Sequence, residues 1–222
     1  MEDIIIFTGA FGSGKTEISI NYAISLAKTE KTVLLDLDIV NAYFRSRTKR
    51  DLMEKKGVKV IAPEGGLSYV DVPIILPAVR GYIENTLYKV VVDVGGEKVG
   101  AKVLGSLKPS IESRKYDFLF VVNTYRPFTS TVDEIIFMAK EIELGARLRF
   151  TGIIANPNLG YETKKEDILK GLDIIREASS KMRLPINFLV VKDSLADSID
   201  EKDIGIPVFI LKRYLTLPFT DY

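Results

Sequence analysis

Short apolar runs alternate along the chain with longer stretches whose apolar positions recur every three or four residues. The short runs predict strands at residues 4–8, 32–37, 58–61, 89–93, 117–122, 149–155 and 186–191. Most are near-continuous Val, Ile, Leu and Phe, the pattern of parallel strands covered on both faces. A last run at 208–211 predicts an edge strand.

The stretches between them read as helices. Ile20, Ala23, Ile24 and Ala27 share one face after the first strand, and Val132, Ile135, Ile136, Ala139 and Ile142 do so later. Thr131 and Glu134 have the spacing of a capping box, as do Thr163 and Glu166 ahead of Ile168, Leu172 and Ile175. Alternating strand and helix predicts an α/β chain with three layers, α/β/α, around a mainly parallel sheet. There is no linker-like stretch, internal repeat or break in composition, so residues 1–222 read as one domain.

Composition narrows the chemistry. Among 222 residues there is no Cys, His, Trp or Gln. Thiolate and imidazole catalysis and soft metal sites are therefore excluded, and any metal is a hard cation held by oxygen, Mg²⁺ first. The lack of Cys and Gln beside many Lys and Glu fits a heat-adapted source. With 31 basic and 30 acidic residues, nothing marks a nucleic-acid coat. The opening Met1-Glu2-Asp3 is acidic where a signal peptide is basic, and no apolar run is long enough to span a bilayer. The expected location is the cytoplasm.

One motif stands out. Gly9-Ala10-Phe11-Gly12-Ser13-Gly14-Lys15-Thr16 fits G-x-x-x-x-G-K-[ST] at every fixed position. A random chain of this length matches about once in a hundred. Here a predicted strand precedes the motif and a predicted helix follows it. Gly9, Gly12 and Gly14 let backbone N–H groups turn around phosphate oxygens without side-chain clashes, and the helix N-terminus favours the anion. Ser13 lies within the same loop. Lys15 would reach the outer phosphates, and the Thr16 hydroxyl would hold Mg²⁺.

Such a loop needs an acid at the end of a nearby apolar strand. Val90-Val91-Val92-Asp93 ends in one, and Asp93-Val94-Gly95-Gly96 continues as D-x-x-G. Asp93 is the expected metal-shell acid and Gly96 the expected N–H donor to the terminal phosphate. Capping of a turn is the other use for Asp93. Asp36 and Asp38 close another run. One residue apart on a strand, they would face opposite sides unless the strand has ended.

Residues 9–41, from the glycine loop through Val33-Leu34-Leu35-Asp36-Leu37-Asp38-Ile39-Val40-Asn41, resemble the MinD/ParA/CobQ-like branch of the SIMIBI class of P-loop NTPases. Asp93–Gly96 and Gly152-Ile153-Ile154-Ala155-Asn156 agree with it. The resemblance implies a Mg²⁺-dependent, slow ATPase that acts as a nucleotide switch. Asp36 and Asp93 would serve the metal shell with Thr16, Asp38 would orient the attacking water, and Asn156 would read adenine. Asn156-Pro157-Asn158 is also simply a good turn. Dimerising members carry a second lysine near the start of the loop, where this chain has Ala10. That departure speaks against a dimer closed over ATP. No [NT]-K-x-D guanine signature follows the strand at Ala155, so ATP is preferred to GTP.

A homodimer, a protein partner or a small-molecule substrate could each use such a site. A carboxylate-activating synthetase of the dethiobiotin or cobyrinate kind, and a nucleotide-gated module without catalysis, are the rival readings. Three further stretches carry open roles. The basic run 45–50 is either a partner, substrate or nucleic-acid contact or a solvated helix start. Asn123-Thr124-Tyr125-Arg126-Pro127 would line the crevice at the strand ends, where Arg126 meets a phosphate or a surface acid. The apolar residues 206–222 either fold back on the core or form an interface.

Overall fold

The structure is a computed structural model that describes residues 2–38, 50–62 and 72–215, with backbone only for 72–76. Among the described residues, eight strands form one sheet: β1 (Ile4–Thr8), β2 (Thr32–Leu37), β3 (Val58–Ile61), β4 (Lys89–Val94), β5 (Tyr116–Val122), β6 (Gly152–Ala155), β7 (Ile186–Lys192) and β8 (Val208–Leu211). The helices are α1 (Lys15–Leu26), α2 (Arg50–Lys55), α3 (Val72–Glu84), α4 (Glu97–Glu112), α5 (Val132–Ala146), α6 (Lys165–Met182) and α7 (Glu201–Ile204). The strand order is β3-β2-β4-β1-β5-β6-β7-β8, with every pairing parallel. This is the expected α/β architecture of a P-loop NTPase, with β8 on the edge.

Period-two alternation sorts each central strand between two cores. Ile4 and Ile6, with Val90, Val92 and Val94, pack under α3, α4, α5 and α6 through residues such as Ile83, Leu104, Ile142 and Leu172. Ile5, Phe7, Leu34 and Val91 pack on the other face, against Ile18, Ile20 and Ala23 of α1 and Met53 of α2. Buried on both faces, these strands alternate between cores rather than between core and water.

Two expectations need correction. The strand predicted at 149–155 pairs only from Gly152. Phe150 instead stacks its ring on Phe118 and Phe120, and the Thr151 hydroxyl donates to Asp117 and accepts from the Phe118 N–H. The capping box at Thr131 and Glu134 forms in full, but the one at Thr163 and Glu166 does not. There Asp167 accepts the Lys164 N–H, so α6 starts one residue later. Thr163 accepts from the Leu159 N–H and donates to the Gly160 carbonyl, closing the preceding turn. The basic run 45–50 lies outside the described residues except for Arg50, which opens α2. Ile39–Asn41 of the resembling string and residues 216–222 also lie outside them. Among the described residues no helix is long and apolar enough to cross a membrane.

Candidate functional site

The site lies where the carboxyl ends of β2, β4 and β1 meet, three adjacent strands. Gly9–Gly14 links β1 to α1, with Gly12 and Gly14 at φ +73° and +91°. That left-handed backbone admits glycine at little cost. Gly14 is the N-cap of α1 and no side chain caps the helix, so its first N–H groups are left for an anion. A side chain at Gly9 would run into the Val121 carbonyl, and one at Gly96 into the Gly9 carbonyl. The second loop, after Asp93, therefore lies directly on the first.

The acids converge from two strands. Asp36 and Asp93 are direct partners in the β2–β4 register. On β2, Val33, Leu35 and Leu37 belong to the core under α3–α6, and on β4 so do Val92 and Val94. Asp36 and Asp93 are therefore on the α1 face, with Lys15 and Thr16. β2 ends at Leu37, so Asp38 lies past the strand and is not forced to the opposite side. Its N–H donates to Asp36 Oδ1 at 3.2 Å. Lys15 Nζ meets Asp38 Oδ2 at 2.8 Å, with both side chains buried. Asp38 also borders Gly95, whose carbonyl accepts from the Thr8 hydroxyl.

Burial by itself would lower the Lys15 pKa. Asp38, Asp93 and Asp36 around it more than offset that and hold it above the ordinary lysine value. Burial pushes the Asp93 carboxyl up to about 8, helped by Asp36 and Asp38 and opposed by Lys15 and the Thr16 hydroxyl. The Ser19 hydroxyl, one turn beyond Lys15, lies 3.4 Å from Asp93 Oδ1 and donates to the Lys15 carbonyl at 2.8 Å. The i, i+4 spacing from Lys15 is the only sequence signal for Ser19.

Three carboxyls around one ammonium form a pocket with an acidic excess, which adds to burial in raising the Asp93 pKa. Asp93 Oδ2 and Ser13 Oγ are buried without a hydrogen-bond partner. These oxygens and the Thr16 hydroxyl fit a hard divalent cation next to phosphate. Among the described residues no cluster of three or more acids could hold a metal ion by itself.

Two predicted residues approach the glycine loop from outside. Asn156, just after β6, donates from Nδ2 to the Ser13 carbonyl at 2.7 Å. Arg126, in the loop after β5, donates from Nε to the Gly12 carbonyl at 3.1 Å. The start of the C-terminal stretch folds back on α1. Glu17 accepts the Tyr214 and Leu215 N–H groups, and Asn21 pairs with both backbone groups of Lys212. Nothing in the local pattern marks Glu17 or Asn21, because their partners lie about 190 residues away.

No protein-family profile and no curated protein sequence matches the chain. Its fold does match solved structures. FtsY from Mycoplasma mycoides superposes with a TM-score of 0.61 at 16% identity, over 86% of this chain and 61% of that one. The cell division protein FtsY from Thermotoga maritima gives 0.60 at 20%, over 85% and 61%. The signal recognition particle receptor FtsY from Elizabethkingia anophelis, in complex with GDP, gives 0.58 at 18%, over 86% and 58%. The chain thus has the fold of the FtsY proteins and spans about three fifths of their length.

Proposed function

We propose that this chain binds a Mg²⁺-nucleoside triphosphate, ATP, in the glycine loop and hydrolyses it slowly as a conformational switch. The observation that carries this reading is the buried Lys15–Asp38 pair beneath the uncapped N-terminus of α1, with Asp36 and Asp93 on the same face. The N–H groups of Gly12–Thr16 cradle the phosphates, and Lys15 leaves Asp38 for the outer phosphate oxygens. Thr16, Asp36 and Asp93 serve the metal shell. Bound Mg²⁺ supplies positive charge where the leaving oxygen becomes negative.

Asp38, released from Lys15, orients the water that attacks the terminal phosphorus as the bond to the leaving diphosphate breaks. Gly96 donates its N–H to the terminal phosphate, so its loss frees the loop that rests on Gly9. Asn156 Nδ2 has a second hydrogen and Oδ1 is an acceptor, which together suit the adenine edge. A MinD/ParA-like role fits these residues, with Ala10 arguing against a dimer closed over ATP. The switch would act on a protein partner or on a second copy of the chain. GTP is the second reading, favoured by the GDP bound to an FtsY of this fold.

The test is titration of ATP and GTP with Mg²⁺ onto wild type and Lys15→Ala, followed by phosphate release. ATP binding lost in Lys15→Ala, with slow release that falls in Asp38→Ala, is expected. Preference for GTP would reject the Asn156 assignment. Phosphate transferred to an added carboxylic acid would move the reading to a synthetase. Absence of nucleotide binding would refute it.

A further inference from the structure

The phosphate loop is gripped from outside by two side chains that the glycine motif does not contain. Arg126 Nε holds the Gly12 carbonyl at 3.1 Å and Asn156 Nδ2 holds the Ser13 carbonyl at 2.7 Å. A trans peptide is planar, so its N–H points opposite to its C=O. Drawing these two carbonyls outward turns the Ser13 and Gly14 N–H groups the other way. Ser13 N–H now meets the Ala10 carbonyl across the loop at 3.0 Å. A phosphate oxygen can replace that acceptor without any turning of the peptide.

Further hydrogen bonds brace this bracket. Asn123, buried at the end of β5, ties its two arms together. Asn123 Nδ2 donates to the Asn158 carbonyl, and Oδ1 accepts from the Asn158 and Tyr125 N–H groups. The Asn123 carbonyl accepts from the Arg126 N–H and the Thr129 hydroxyl, which fixes the turn that carries Arg126. Arg126 is otherwise exposed. Ordering so long a side chain on one carbonyl costs rotamer freedom, and nothing in the core requires it. Its position does place a permanent positive charge at the rim of an anion cradle.

We infer that Arg126 is a positioning residue: it holds the phosphate loop in its anion-binding form and adds its charge to the rim, raising affinity for a nucleoside polyphosphate. This deepens the proposed nucleotide reading and rests on it.

Three variants separate the two contributions. Arg126→Gln keeps an N–H donor without charge, Arg126→Lys keeps the charge, and Arg126→Ala loses both. The readouts are the Kd of Mg·ATP at low and high salt, and the Tm without nucleotide. Arg126→Ala should weaken ATP by about tenfold, the scale of one charge-assisted hydrogen bond. Arg126→Gln should fall between and show a flatter salt dependence, and Arg126→Lys should recover most of the affinity. The Tm should shift little, because a merely structural role would move the Tm and leave affinity and its salt dependence alone. If Arg126→Ala does not fold, Arg126→Gln and Arg126→Lys decide in its place. Wild-type affinity in the folded variants, with Lys15→Ala inactive in binding, would overturn the bracket and leave the nucleotide reading standing. No binding by wild type would overturn both.

Discussion

Replacing Asp38 by Asn tests the centre of the site. Lys15 and Asp38 meet at 2.8 Å with side chains 6% and 3% exposed, so the pair belongs to the buried regime. Removing one partner of a buried pair costs about 3–5 kcal/mol, against about 0–1 at the surface. Here the loss is softened. Asp36 and Asp93 still face Lys15, and Asp93 gives up its proton more readily once Asp38 is neutral. A cost of about 2–3 kcal/mol without nucleotide follows, or a fall in Tm of about 4–12 °C for a chain of this size. The deficit should shrink in the presence of ligand. Phosphates take over the Lys15 ammonium in both proteins, so the variant no longer spends binding free energy on breaking the pair. Its ATP Kd should tighten, by about tenfold if half of the stability loss is recovered. Phosphate release should fall, because the group proposed to orient water has lost its charge. Thermal melts with and without saturating Mg·ATP, titration calorimetry and a phosphate-release assay read the three in turn. A Tm within about 1 °C of wild type, or the same deficit with and without nucleotide, would refute the reasoning.

Three further outcomes are expected. Gly96→Ala drives a methyl into the Gly9 carbonyl and should lower the Tm and weaken ATP binding together, seen by melting and titration. The Asp93 carboxyl is raised from 3.8 to about 8 in the folded state, so the native protein holds the extra proton. Stability without nucleotide should therefore fall as pH rises from about 4 through about 8, and Asp93→Asn should flatten the slope of Tm between pH 6 and 8. Glu17→Ala removes the acceptor for the Tyr214 and Leu215 amides, and hydrogen exchange at those two amides should speed up at least tenfold, since charge-assisted bonds are worth about 1.5–3 kcal/mol each.

Every strand was legible in the sequence because local patterns encode it: continuous β-branched and aromatic runs for a strand buried on both faces, glycine at positive φ for the loop, and Thr131 with Glu134 for a cap. Local pattern misled where distant side chains intervened. Phe150 is as apolar as its strand neighbours, yet Phe118 and Phe120 draw it into a ring stack ahead of the ladder. Thr163 has the cap spacing, yet the turn at Asn158–Gly160 uses its hydroxyl. Within the site, the residue types were readable from the motif alone, but their meeting was not. Val90-Val91-Val92-Asp93 is apolar on both sides, so nothing in it says which face Asp93 takes. That is decided by β4 lying between β1 and β2, which sets Asp36 opposite Asp93 and turns both toward α1. The same holds for Asp38 on Lys15, and for Arg126 and Asn156 on the loop carbonyls. Such contacts join residues 23 to 143 positions apart. No periodicity spans that distance, and only the order in which the strands pack brings their ends together.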